Sequence, residues 1–232
     1  MPRLAFDEAK ALILIGKDVE KFIDGLSTNK VDFSNNQVID TLVLNNKAKI
    51  LGQLHLFEFN SMVVSVTIAD DFEKLVKYLK SKILSQDVVI NDVSDLNFID
   101  IVYDEGSIIK QVTIDKDTTT IGINDMYNIE LYSVKLNRKA CDGDSESFTN
   151  WRVDNLIPWY NYEISSSVNP YQCGLGHQVH ENKGCYTGQE ILTRMRTRDK
   201  GIFHLTVREN TAIQTSKPTT QGSEKSLYLE KA

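Results

Sequence analysis

The chain has 232 residues, 41% hydrophobic and 25% charged, with 26 Lys and Arg against 32 Asp and Glu for a formal net charge of −6. That length allows a well-buried core in one or two domains, and the acidic balance argues against a general nucleic-acid binder. The longest apolar runs, around residues 12–15 and 62–69, fall far short of the ~20 residues a membrane helix needs, so no membrane role is expected.

Residues 11–15 read as a strand, after which Asp18 caps a helix whose Val19, Phe22, Ile23 and Leu26 fall at i, i+3, i+4 and i+7. Residues 37–44 and 50–59 read as strands around the polar turn Asn45-Asn46-Lys47. A strand over 62–68 leads to Asp70 or Asp71 as the cap of a helix carrying Phe72, Leu75, Val76 and Leu79 at the same spacing. Residues 88–93, 98–103 and 107–114 return to β character. This alternation is an α+β pattern with helices packed on antiparallel sheets; no internal repeat is clear, although two strand–helix units of similar length occur near 11–28 and 62–81. Residues 140–150, rich in Asp, Ser and Gly, are expected to form a surface loop. The stretch 210–232, rich in Thr, Ser, Gln and Lys with only 227–229 as an apolar anchor, is expected to be largely mobile.

The run Lys183-Gly184-Cys185-Tyr186-Thr187-Gly188-Gln189-Glu190 holds a potential nucleophile, two glycines and a helix start. Thr187 and Glu190 stand in capping-box spacing, and Ile191 and Leu192 open an apolar face behind them. A helix beginning near Gly188 points its N–H groups toward Cys185; those groups and Lys183 favour the thiolate. The alternative is a buried structural cysteine in a glycine-bounded turn, since free cysteine commonly packs as a small hydrophobe. From Lys183 to Arg208, six Lys and Arg stand against Glu190 and Asp199. Arg194, Arg196 and Arg198 alternate, so an extended backbone would put them on one face. That face is either a solvated turn or an anion-binding edge suited to a carboxylate-bearing ligand.

The octapeptide resembles the signature of the YgfZ family, folate-binding proteins linked to iron–sulfur cluster assembly and repair and relatives of the glycine-cleavage T-protein (GcvT, an aminomethyltransferase). Further segments are similar to the family in the same order. Phe22-Ile23-Asp24-Gly25-Leu26-Ser27-Thr28-Asn29 resembles Phe-Leu-x-Gly-Leu-x-Thr-Asn, and Asn46-Lys47-Ala48-Lys49-Ile50-Leu51 resembles the Lys-Gly-Arg-Ile/Val-Leu stretch. Trp151-Arg152-Val153 through Ile157-Pro158 matches Arg-Ile/Leu-x-x-Gly-Ile-Pro, with Leu156 where glycine is common. Asn169-Pro170-Tyr171-Gln172-Cys173-Gly174-Leu175 resembles Asn-Pro-x-Glu-x-Gly-Leu. The resemblance runs over residues 4–205.

It implies an α+β, GcvT-type folate-binding fold in which ferredoxin-like units surround a central pocket, over residues 1–200. Residues 201–232 would be a short C-terminal strand and polar tail, the family's C-terminal β-barrel being absent or much reduced. It also implies tetrahydrofolate or a derivative as ligand. Lys183, Gly184, Tyr186, Gly188, Gln189, Glu190, Arg194, Gln172 and Asn29 are the expected binding residues and Cys185 the functional thiol. Folate is a flat pterin and benzoate with an anionic tail, so it asks for an apolar slot, a few polar groups and nearby cations. Trp151, Trp159, Tyr160 and Tyr162 are candidates for the slot, or else for core packing. Gln172 stands where the T-protein has a pterin-holding Glu, and Lys74 aligns with the T-protein's acid/base Asp.

A third constellation is Cys173, His177, His180 and Cys185, four soft or borderline ligands within thirteen residues whose spacing matches no common metal ribbon. The three cysteines, with Cys141, match no disulfide scaffold, and with no signal peptide recognisable they point to a reducing cytoplasm. The leading expectation is a cytoplasmic tetrahydrofolate-binding protein with iron–sulfur client or assembly proteins as partners. The alternatives are a folate-dependent aminomethyl or one-carbon transferase, disfavoured by Lys74, and a Cys/His metal-binding module.

Overall fold

The computed structural model describes residues 1–35, 37–104, 109–198, 201–211 and 216–231. In chain order its elements are β1 (Arg3–Ala5), β2 (Lys10–Ile15), α1 (Val19–Asp24), β3 (Ile39–Leu44), β4 (Ile50–Phe59), β5 (Met62–Ile68), α2 (Phe72–Ser81) and β6 (Val89–Asp92). There follow β7 (Asn97–Tyr103), β8 (Val112–Asp115), β9 (Thr118–Gly122), β10 (Tyr127–Ser133), α3 (Ser145–Asp154), α4 (Gln189–Thr197), β11 (Phe203–Glu209), β12 (Thr220–Gln221) and β13 (Lys225–Lys231).

The first sheet runs β3-β4-β5-β2-β6 with every pairing antiparallel. Taking β2, β4, β5 and β6 as one to four, its order is 4-1-3-2, the β-α-β-β-α-β ferredoxin-like arrangement with β3 added at the edge. Both faces of this sheet are covered, which explains its near-continuous apolar strands. Ile39 and Val43 of β3 turn toward Phe22, Ile23, Leu75 and Leu79 of the two helices. Leu42 and Leu44 turn the other way, into a core shared with Ile101 and Ile129 of the second sheet, ordered β1-β7-β10-β9-β8.

The local signals differ in how well they hold. Asp71 caps α2, its carboxylate accepting from Lys74 N at 2.9 Å. Asp18 precedes α1 but makes no side-chain cap; its carboxylate takes the Asp87 N–H at 2.8 Å and ties α1 to the approach of β6. The proposed loop over 140–150 is corrected: from Ser145 it is helix α3, because Asp144 accepts from the N–H groups of Glu146 and Ser147, both at 2.9 Å. Cap residues there look like loop residues in composition. The strand expected over 107–114 begins at Val112 instead, and its residues 107 and 108 lie outside the described residues.

The mobile tail is corrected too. Among the described residues after Gly201, β11, β12 and β13 form a third antiparallel sheet ordered β11-β13-β12, with no closed barrel, while residues 212–215 and 232 of the expected tail lie outside the described residues. Leu227 and Tyr228 are buried. Arg152 of α3, 1% exposed, donates to Thr220 Oγ1 at 2.9 Å and to Glu163 Oε2 at 3.1 Å, while Thr220 Oγ1 donates to Glu163 Oε1 at 2.6 Å. This closed, buried network fastens β12 to the body. No helix among the described residues is long and apolar enough to cross a membrane.

Candidate functional site

Between the first two sheets lies a cavity of about 360 Å³, within the range of small-molecule sites. Asp40, Gln53, His55 and Ile68 form one wall, Ile123, Tyr127 and Ile129 another. The segment 155–160 and Leu175, His177 and Gln178 close a third side. Trp159 stands in this wall, held by Phe6 (ring centroids 5.2 Å apart) and edge-on to Phe148 (5.0 Å).

The polar end is built by strand register. Asp40 of β3 pairs directly with His55 of β4, so their side chains share a face. Asp40 Oδ1 lies 2.7 Å from His55 Nδ1, and Asp40 Oδ2 forms an ion pair with Lys110. Burial pushes His55 down to about 4, leaving its ring neutral at physiological pH, and pushes Lys110 down to about 8. Lys110 balances Asp40, which removes much of the carboxylate's pull toward imidazolium. Burial also lowers His177. Asp40, Lys110, His177 and Gln178 line a second, outer pocket as well, together with Asn29 and Lys30.

The residues singled out in the sequence assemble elsewhere, as a clasp. Lys183 Nζ turns inward, 2% of its side chain exposed, and donates to the carbonyls of Asp24 (2.5 Å), Ser27 (2.9 Å) and Asn29 (2.7 Å). It caps the end of α1. Cys185 is exposed, not the buried structural cysteine of the alternative reading. Tyr186 is buried beside Lys183 (5.6 Å to the ring centroid), and burial pushes its hydroxyl up to about 12. Gln189 donates back to the Lys183 carbonyl at 3.3 Å. Helix α4 begins where expected, but the Thr187–Glu190 capping box does not form. Gly188 is the N-cap, at φ +87°, and Thr187 Oγ1 accepts from Tyr78 OH at 3.2 Å. Gly184 is exposed with open space around it.

Arg194 and Arg196 lie on helix, not strand, so the common arginine face is also corrected. Arg194 pairs with Glu190 one turn earlier, and Arg196 reaches Glu181 at 2.8 Å. Gln172 completes a capping box with Asn169, its Oε1 also accepting from Lys49 Nζ at 3.2 Å, and does not line the cavity. Asn29 donates to the Asp40 carbonyl at 2.9 Å, at the outer pocket. Of the four aromatic candidates, Trp159 and Tyr160 reach the cavity. Trp151 packs on Tyr103, and Tyr162 lies under the Arg152 guanidinium.

The Cys/His constellation is dispersed. Cys173 is buried, burial raising its thiol to about 12, and it points at the Asn169 and Pro170 carbonyls. His177 lines the cavity, while His180 accepts from Asn182 N. Among the described residues no three His, Cys, Asp or Glu side chains are grouped to hold a metal. Lys74 sits in the first turn of α2, and Asp70 accepts from Ser166 N at 2.6 Å; neither lines the cavity. The cavity's own residues, Asp40, His55, Lys110 and Gln178, were not singled out in the sequence. The available signal was an Asp and a His inside mostly apolar strands.

This architecture is the fold of the glycine-cleavage aminomethyltransferases. The crystal structure of glycine cleavage system aminomethyltransferase T from Bartonella henselae matches it with a TM-score of 0.71 at 12% identity, over 90% of this chain and 66% of that one. In sequence the chain is 22% identical over 223 residues to the aminomethyltransferase of Caldanaerobacter subterraneus subsp. tengcongensis, covering 80% of this chain and 60% of that protein. The chain therefore spans about three fifths of the length of the curated relative it matches. No protein-family model matches it.

Proposed function

We propose that the cavity between the two sheets binds tetrahydrofolate or a derivative, and that the chain serves iron–sulfur protein maturation or repair as a folate-binding protein of the YgfZ type. The observation that carries the binding is the cavity itself: flat aromatic walls at Trp159 and Tyr160 and a charge-balanced polar end at Asp40, His55 and Lys110. The donor set fits the group. A neutral ring suits a neutral imidazole, and the Asp40–Lys110 ion pair leaves that end of the cavity without net charge. Bound tetrahydrofolate supplies ring and side-chain nitrogens able to carry a one-carbon unit.

The iron–sulfur role is supported by the octapeptide, whose Cys185 is exposed and does not line the cavity. On this reading thiol and folate act at separate places, Cys185 meeting a client protein. Replacing Cys185 with Ala then lowers iron–sulfur enzyme activity in a complementation assay while tetrahydrofolate binding stays at the wild-type level. Full complementation by the variant would remove the thiol role.

Aminomethyl transfer is the second reading, favoured by the named relatives and by one feature of the site. Making or breaking a C–N bond on folate requires proton movement. Asp40 and His55 place a carboxylate–imidazole pair in the cavity that Lys74 does not provide. Turnover of an aminomethylated carrier with tetrahydrofolate, abolished by His55→Gln, would establish it.

A further inference from the structure

The inner cavity and the outer pocket share a wall. Asp40, Lys110, His177 and Gln178 line both, and the outer pocket encloses about 310 Å³. Lys110 carries the amine of that wall, and 35% of its side chain is exposed, so a small molecule can reach it. The other inward-turned lysine, Lys183, is 2% exposed and held by three carbonyls, out of reach of a ligand.

Lys110 is fixed from two sides. Its N–H donates to Gly122 O at 3.0 Å and its carbonyl accepts from Val38 N at 2.8 Å, which holds the residue at φ +56°. A non-glycine residue in that region carries strain its surroundings must sustain, and such residues gather at working sites. Lys110 Nζ pairs with Asp40 Oδ2, while Asp40 Oδ1 lies 2.7 Å from His55 Nδ1. The carboxylate is therefore held between an oriented imidazole and an amine. Burial brings that amine down to about 8, leaving roughly a tenth of it unprotonated at pH 7. Asp40 offsets the ammonium charge, so the site has little pull on an anion, whereas a neutral electrophile meets no such obstacle. A desolvated lysine amine is the group that forms Schiff bases with carbonyl compounds.

We propose that Lys110 is a nucleophile that captures a small, uncharged aldehyde or ketone as an iminium, with Asp40 as its proton carrier and counter-ion. The proposal stands apart from the folate reading. The ammonium passes a proton to Asp40, and the Nζ lone pair forms a C–N bond to the carbonyl carbon while the C=O π pair moves to oxygen. That oxygen takes the proton from Asp40, and Asp40 takes one from the nitrogen, giving the neutral carbinolamine. Asp40 then gives this proton to the hydroxyl, the C–O bond breaks and water leaves. Ammonium and carbonyl have become iminium and water with no redox change, and the single positive charge facing Asp40 is conserved. His55 keeps the other carboxylate oxygen, so Asp40 turns Oδ2 to the amine throughout.

The test treats the full chain at pH 7 with acetaldehyde and cyanoborohydride, which reduces an iminium to a stable N-ethyl amine. Each lysine is followed by peptide mass spectrometry at low total labelling. Lys110 is expected to be ethylated at least tenfold faster than every other lysine in the folded protein, and to lose that preference in urea. A smaller preference, or one that persists in urea, overturns the proposal, and this arm needs no variant. Asp40→Asn is expected to slow Lys110 at least threefold while the other lysines keep their rates. A smaller drop or a rise overturns the role of Asp40, and Asp40→Ser is read in the same way should Asp40→Asn fail to fold.

Discussion

Lys183 Nζ donates to the Asn29 carbonyl at 2.7 Å, joining residues 154 positions apart in the chain. The bond links the octapeptide to the Phe22–Asn29 segment, and neighbouring contacts bring in the others. Gln172 meets Lys49, and the start of α4 at Gly188 rests on the turn at Asn45 and Ala48. Segments that stand out in the sequence thus meet in one clasp beside the cavity. Lys183→Met should cost ~3 kcal/mol in urea unfolding, since three carbonyls lose a charged donor in a buried setting. A loss below ~0.5 kcal/mol would mean that Lys183 is not a structural tie.

The two glycines of the octapeptide should behave differently. A Cβ on Gly188, at φ +87°, would lie 3.0 Å from both Ala48 Cα and Asn45 O, whereas one on Gly184 meets nothing within 4 Å. Gly188→Ala is expected to lose ~2 kcal/mol from left-handed strain and contact. Gly184→Ala should fall within ~0.5 kcal/mol of wild type. Thermal melts of the two variants check this, and equal effects would contradict the placement of the helix start.

His55 should dominate acid sensitivity in the weakly acidic range. The unfolded histidine takes its proton near pH 6.5, while the buried one resists until about 4. The unfolded state therefore binds more protons in that window, and stability present above pH 6.5 falls as pH drops toward 4. The loss is on the order of 3 kcal/mol. Urea unfolding at pH 7 and 4.5 should show that slope in the wild type and a much shallower one in His55→Gln. Equal slopes would place the proton uptake elsewhere.

Thiol chemistry separates the cysteines. Cys141 and Cys185 are exposed, and Cys173 is buried with its thiol raised to about 12. A thiol reagent at neutral pH should modify two cysteines in the native protein and the third only in denaturant, because the thiolate is the reactive form. Native labelling of Cys173 would contradict its packing.

Much of the fold was legible because β2 to α2 follow simple rules: apolar strands, a polar turn at Asn45–Lys47, and Asp71 three residues before the N–H it accepts. Helix α3 escaped because its cap and first turn are Asp, Ser and Glu. The C-terminal strands escaped because β13 gains its partners β11 and β12 only in three dimensions, and β12 is tied to the body through Thr220, Arg152 and Glu163. The cavity was the least legible part. Asp40 and His55 become neighbours through the β3–β4 register, and Gln178 reaches the same space through its bond to Thr28, none of which has a local pattern. The octapeptide, by contrast, was visible as a motif, while its Lys183 is engaged with α1.

The most direct measurement is a calorimetric titration of tetrahydrofolate, followed in parallel by tryptophan fluorescence. The account predicts saturable, one-to-one binding with a change in Trp159 emission, weakened at least tenfold by Trp159→Ala and left within threefold by Arg194→Ala, whose side chain lies outside the cavity. No saturable binding at millimolar ligand, or binding lost with Arg194 and indifferent to Trp159, would contradict it.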